Sequence, residues 1–325
     1  MHVAVVRCGR LAGADYGVWS VSRNVNGPLM LALAEKIGYH DKGAIEMFRR
    51  GGPLVGLLPC SGMRFGVVSL FPSWFTFSSG NGTPLQPDLD DYLTEQELLA
   101  NWEVINDAVR RGLKEDSLSR ASMQSCIDDV RLGRMRKHTM WEKHCMPENC
   151  VVTPRFSIEQ GLRQDGTKKF RPIDDFTKSW CNRATIPTER LRYDSLDLFM
   201  EMLEKAKGDY KAELKMFKID IDAAFRRVPI KPAHRQFAWV GFLYGGRAHA
   251  FQHLSMPFGS IAAMHNWDRS GEQVSRPPYL YPPVVVLCRC VPPSCGAENP
   301  THSDHEASTV TTAMSVALPS FAQVC

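Results

Sequence analysis

The sequence predicts an α+β fold. Three observations carry that expectation. Apolar residues recur at helical spacing between residues 94 and 132. Two strand-like runs, 151–158 and the basic 168–173, flank an Asp165-Gly166 turn. A second pair, 236–242 and 248–254, flanks Gly245-Gly246. Helices and hairpins fall in separate blocks of the chain, as they do in α+β proteins.

Composition sets the bounds. The chain has 325 residues, 44% hydrophobic and 23% charged, enough for a sizeable core in one large domain or two ordinary ones. The net charge of +4 leans weakly toward an acidic partner. Its distribution says more: Arg131, Arg134, Arg136, Lys137, Arg163, Lys168, Lys169 and Arg171 crowd the middle third. No charged-then-apolar leader and no apolar stretch of about eighteen residues occurs. The ten cysteines are scattered. The expectation is an intracellular protein, cytoplasmic or nuclear, with reduced thiols and no membrane partner.

Residues 1–90 form an N-terminal region whose role the sequence does not reveal. Short helices are expected at 28–36 and 44–50, the second closed by Gly51-Gly52-Pro53. Residues 78–90 read as a loop. Residues 91–150 are a helical segment. Thr94 and Glu97 fit a capping box, with Leu98, Trp102, Ile105 and Val109 on one face of a helix reaching about Gly112. A further helix is expected at 117–132, ended by Gly133. The basic run 134–138 is either a solvated face or a phosphate contact.

Residues 151–269 hold the two hairpins. The tip at Lys168, Lys169 and Arg171 either grips a triphosphate, with Lys as point charge and Arg as fork, or protects an edge strand by charge. A helix is expected at 193–208 and a short buried strand at 216–219. That strand delivers Asp220, with Asp222 two residues on and Phe225 after a small-small step. A carboxylate at the end of a buried strand is costly unless it is hydrogen-bonded or holds a cation. Asp220 is therefore a candidate Mg²⁺ ligand, or else half of an ordinary strand-end pair. Phe225 is a candidate pocket residue or a core aromatic. Residues 222–227 read as a helical turn. Ser260 caps a helix to about Arg269. His253 and His265 read as residues that pack or bond locally. From 270 to 325 the composition shifts to Pro, Cys, Ser and Thr, and a tail without regular structure is expected. Its Cys288, Cys290, Cys295, His302 and His305 have a spacing that fits no standard zinc knuckle.

Residues 150–269 resemble the fingers and palm of reverse transcriptases of mobile genetic elements. Lys168-Lys169-Phe170-Arg171-Pro172-Ile173-Asp174-Asp175-Phe176, with Asn182, is similar to the fingers motif that grips the incoming dNTP. Residues 218–230 (KIDIDAAFRRVPI) resemble the first palm motif, and residues 251–259 (FQHLSMPFG) the second. The resemblance implies a right-hand polymerase fold with fingers and a partial palm. On it, Arg171 clamps the triphosphate, aided by Lys168 or Lys169. Asp220 and the backbone carbonyl of Ile221 hold Mg²⁺. Phe225 excludes a ribose 2′-hydroxyl, and Phe258 and Gly259 shape the nucleotide pocket. The implied partners are dNTP and an RNA or DNA template with its primer. The implied chemistry is two-metal phosphoryl transfer, with ions about 3.5–4 Å apart.

The family also carries an aromatic-x-Asp-Asp turn after the second palm motif. Residues 270–325 contain no Asp-Asp pair; the pairs lie at 90–91, 128–129 and 174–175. The expectation is a truncated palm with impaired activity, from a frameshift, an intron or a truncation near residue 269. The alternative is an inactive nucleic-acid-binding remnant.

Overall fold

The computed structural model describes residues 15–36, 41–59, 83–84, 87–137, 139–142, 145–162, 165–191, 197, 200, 204, 215–219, 223–275, 288–289 and 313–317. It is α+β, built on a five-stranded mixed sheet. Of the expected helix over 193–208 only residues 197, 200 and 204 are described, and they are helical; the expected ligands Asp220, Ile221 and Asp222 lie outside the described residues, as do most of the Cys/His set of the tail.

Three helices come first: α1 (Tyr16–Ser22), α2 (Gly27–Lys36) and α3 (Lys42–Arg50). The side chains of Asp15 and Asp41 cap α1 and α3 by accepting the N–H groups of Val18 and Ala44. Gly51 ends α3 with φ at 85°, and its N–H bonds to the Met47 carbonyl. A side chain there would strike the backbone of Lys231, so glycine is required twice over. Gly52 then docks: its N–H reaches the Pro229 carbonyl at 2.8 Å, and its carbonyl accepts from Lys231 N–H at 2.9 Å. Strand β1 (Gly56–Leu57) runs parallel to β6 (Thr185–Ile186), and β2 (Thr83–Pro84) antiparallel to β7 (Glu189–Arg190).

The capping box at Thr94 forms with both arms in place. The single helix expected behind it is instead two, α4 (Glu95–Ala100) and α5 (Trp102–Gly112). Asn101, at φ −102° and ψ 8°, breaks the run. Helix α6 (Ser119–Arg131) follows, and Gly133 turns the chain with φ at 73°. Asn106 fastens α5 to the sheet: its amide donates to the Cys150 carbonyl and accepts from Val152 N–H, both at 2.8 Å.

The main sheet has the order β3-β10-β9-β4-β5. Its strands are β3 (Thr139–Met140), β4 (Val152–Leu162), β5 (Lys168–Asp174), β9 (Trp239–Tyr244) and β10 (Arg247–Gln252). Both expected hairpins are present, and a parallel pairing of β4 with β9 joins them. The second strand pair begins later than expected. Gln236 and Phe237 belong to a 3₁₀ turn, Pro232–Phe237, which opens on a proline that lacks the N–H a ladder needs. Gly245 and Gly246 make a two-residue turn with φ at 61° and 71°, and both N–H groups point at the Glu115 carboxylate, 2.7 and 2.8 Å away.

Strand β8 (Lys215–Ile219) is the strand expected before the carboxylate pair. It pairs with β12 (Ala313–Ala317), beyond which lies β11 (Cys288–Arg289). The region expected to be without regular structure thus contributes two short strands. The helix capped near Ser260 runs from Ile261 to Ser275, past residue 269.

One core unites these parts. Phe48, Leu54, Val55 and Leu58 pack in the same cluster as Leu98, Ile105 and Val109, Val151 and Val152, and Phe225, Ile230, Phe237, Met256 and Trp267. Buried ion pairs reinforce it: Arg269 grips Asp41 with two hydrogen bonds of 2.5 and 2.6 Å.

Candidate functional site

The three sequence motifs converge. Arg171, on β5, lies with its guanidinium carbon 5.5 Å from the centre of the Phe258 ring. Phe258 meets Phe225 edge to face, centroids 5.4 Å apart. A cation, a half-exposed aromatic and a buried aromatic are therefore stacked from residues 171, 225 and 258. Cation–π and aromatic pairs of this kind are worth about 0.5–1.5 kcal/mol each. Phe225 is also part of the main core, with Phe258 packed against it.

Gly259 explains itself by what surrounds it. Its φ is 92°, and any side chain would fall on the carbonyl oxygen of Asp174. Asn182 holds the loop in place from the other side. Its amide donates to the Gly259 carbonyl and accepts from Ile261 N–H, both at 3.1 Å. It thereby caps the helix Ile261–Ser275 as well. Lys168 sits apart at the exposed tip of the hairpin, paired with Glu159 at 3.0 Å. Lys169, opposite the bulged end of β4, is half-buried on the same tip.

Ala223 begins the turn that carries Phe225, with φ and ψ both at 48°. This left-handed conformation costs an alanine about 1–2 kcal/mol. Ala223, Phe258 and Pro172 line a cavity of about 160 Å³. Its polar wall holds Asp129, Arg134, Arg155, Asp174 and Arg226.

Behind that wall runs a chain of buried polar groups that the sequence did not single out. Arg155 forks onto Asp174, Nε to Oδ1 at 2.6 Å and Nη2 to Oδ2 at 2.9 Å. His253 lies with Nε2 3.1 Å from Asp174 Oδ2 and Nδ1 2.7 Å from Arg226 Nη1. Arg226 continues to Asp129 Oδ2 at 2.6 Å. His253, expected to pack or bond locally, is fully buried, and its hydrogen-bond partners are 79 and 27 residues away in the chain. Geometry fixes its tautomer. A guanidinium can only donate, so Nδ1 accepts; a carboxylate can only accept, so Nε2 carries the proton. Burial pushes its pKa down to about 4, reinforced by Arg226, against the pull of Asp174. Burial would raise the Asp174 pKa, but Arg155 and His253 hold it well below the usual carboxylate range. Burial pushes the Cys126 thiol up to about 11, opposed by Arg155, so it stays a neutral acceptor for Arg155 Nη1 at 2.9 Å.

Among the described residues no three His, Cys, Asp or Glu side chains assemble as a metal site. The carboxylates that reach the turn, Asp129 and Asp174, are committed to arginines. They do not fit a Mg²⁺ ion, and the expected ligands Asp220 and Ile221 lie outside the described residues. The other Asp-Asp pairs are no substitute. Asp90 and Asp91 sit in an exposed 3₁₀ turn, Leu89–Asp91, and Asp128 and Asp129 on α6. No described helix is long and apolar enough to cross a membrane.

No protein-family model matches the chain, and no curated protein matches it.

Proposed function

We propose that this chain is the fingers and part of the palm of an RNA-directed DNA polymerase of a mobile element. The observation that carries the reading is the Arg171–Phe258–Phe225 stack. Its members come from three motifs that the resemblance assigns to one nucleotide pocket, and nothing in their sequence separation requires them to meet. Gly259, closed down on the Asp174 backbone, supports the same reading, because it gives the pocket loop a fixed floor. Lys168 and Lys169 lie at the hairpin tip, where two cations can follow the outer phosphates of a dNTP.

In this reading Arg171, with its guanidinium carbon 5.5 Å from the centre of the Phe258 ring, offers its N–H groups to phosphate oxygens. Phe225 is wedged between core and pocket and gives way little to an added 2′-hydroxyl. Mg²⁺, when held by Asp220 and the Ile221 carbonyl, would stabilise charge on the attacking and leaving oxygens. A second reading, nucleic-acid binding without turnover, is favoured by the lack of any Asp-Asp pair in residues 270–325.

Primer extension with Mg²⁺, dNTPs and an RNA template separates the two. Extension that is lost in Asp220→Ala is expected of the polymerase. Salt-sensitive RNA binding with no extension points to the second reading. Neither extension nor RNA binding overturns both.

A further inference from the structure

The buried polar groups behind the cavity close into a ring. Cys126 and Asp129 stand one turn apart on α6. From Cys126 the path runs to Arg155 on β4, to Asp174 at the end of β5, to His253 beyond β10, to Arg226 in the turn Ala224–Arg227, and back to Asp129. Every member but the half-buried Asp129 is buried, and each joins a different part of the fold to the next.

Three of the ring's members sit beside the three members of the pocket stack. Asp174 is three residues from Arg171, Arg226 directly follows Phe225, and His253 precedes Phe258 by five. Arg226 makes the decisive tie. One of its nitrogens donates to His253 Nδ1 and faces the carbonyls of Ser255 and Met256, each at 3.3 Å. The other is held by Asp129. The backbone ladder between these segments stops short of it. Met256 N–H meets the Val228 carbonyl, and Ile230 N–H meets the Leu254 carbonyl, but residues 224–227 make no such bond to the Phe258 loop. Beyond that ladder, the polar tie between the two segments is the Arg226 guanidinium, beside the direct contact of the two rings.

We propose that Arg226, oriented by His253 and Asp129, is a positioning residue for sugar discrimination. It fixes Phe225 against Phe258, and the ring transmits that fixation to the strand bearing Arg171. The inference rests on the polymerase reading, since it takes Phe225 to face the nucleotide sugar. Its physical basis is preorganisation. A pocket wall discriminates a single hydroxyl only if the wall does not yield, and a side chain locked by buried hydrogen bonds yields least. Lysine cannot replace arginine here, because one ammonium cannot span Asp129, His253 and two carbonyls in a fixed fork.

The test compares dATP and ATP binding by calorimetry, with Mg²⁺ and a primer-template, for the full chain and three variants. Circular dichroism and thermal melting establish that each variant is folded. The wild type is expected to prefer dATP. Arg226→Lys should lower the dATP-to-ATP affinity ratio about tenfold, mainly by tightening ATP. His253→Leu, which removes both ring bonds, should do the same. His253→Gln, whose amide offers one donor and one acceptor, should keep the ratio. If folded Arg226→Lys and His253→Leu retain the wild-type ratio, the positioning role is overturned while the polymerase reading stands. A wild type that binds neither nucleotide, or binds both equally, overturns that reading and this inference with it.

Discussion

At Asp174 and His253 a carboxylate and an imidazole are buried together and kept in one protonation state each. The sign of the resulting pH dependence follows from the direction of the shifts. His253 and His234 are both pushed down to about 4, chiefly by burial, from an ordinary value of 6.5. His234 also accepts the Leu54 N–H at 3.1 Å, which requires a neutral ring nitrogen. The unfolded chain takes up protons on these histidines below about pH 6.5, and the folded chain does not until about 4. Stability is thus complete above pH 6.5 and falls as the pH drops. The slope is about 1.4 kcal/mol per pH unit for each histidine. Urea midpoints should decline from pH 7 to pH 5, and His253→Gln should make the decline shallower. An equal slope in that variant would place the linkage elsewhere. Gly259 gives a second outcome at this scale. Gly259→Ala adds a side chain in a left-handed conformation against a fixed carbonyl. It should cost about 3 kcal/mol of stability in the same denaturation experiment.

Elements follow local signals closely where those signals are chemical. The Thr94 capping box, the Gly51 stop and the Gly245-Gly246 turn are each decided by two or three neighbouring residues, and each is found where the sequence puts it. Thr94→Ala should remove the hydroxyl arm of the box, leaving the backbone N–H of residue 94 to the Glu97 carboxylate, and lower the unfolding free energy by about 1 kcal/mol, read from denaturant midpoints. A change below a few tenths would mean that α4 is held by Leu98 alone. Signals that depend on tertiary partners were not legible. Alternation along residues 152–158 would turn Phe156 and Ile158 inward. In the folded chain both are 42% exposed, whereas Arg155 and Ser157 are buried. The phase is set by Asp174, Ser122 and Cys126, which supply bonds that no pattern of hydrophobicity encodes. The ring as a whole escaped the sequence for the same reason: Arg226 and Asp129 are 97 residues apart. The contact of Arg171, Phe258 and Phe225 joins three stretches that the sequence singles out; the groups that hold them do not announce themselves.

Across the whole molecule, the N-terminal region proves inseparable from the rest. The sequence left residues 1–90 without a role, because short helices with no motif say nothing about what they cover. Phe48, Leu54, Val55 and Leu58 turn out to fill the core beneath the pocket, and Asp15, Asp41 and Gly52 bond directly to Arg235, Arg269 and Lys231. A chain lacking residues 1–58 should therefore show no cooperative unfolding transition in calorimetry. A sharp transition in that fragment would mean that the rest of the chain holds together alone.

The grip of Arg269 on Asp41 spans 228 residues. On a ribosome making about 5–20 residues per second, the first three helices wait roughly 10–45 s for the partner that completes their surface. For that interval Ile45 can pack on Met30 and Leu31, and Phe48 on Leu54 and Val55, but the face of α3 that meets the helix Ile261–Ser275 stays open. The yield of this protein is consequently a matter of synthesis rate and chaperone supply. Slower translation anywhere between residues 50 and 269 lengthens that interval and should lower the yield of folded chain.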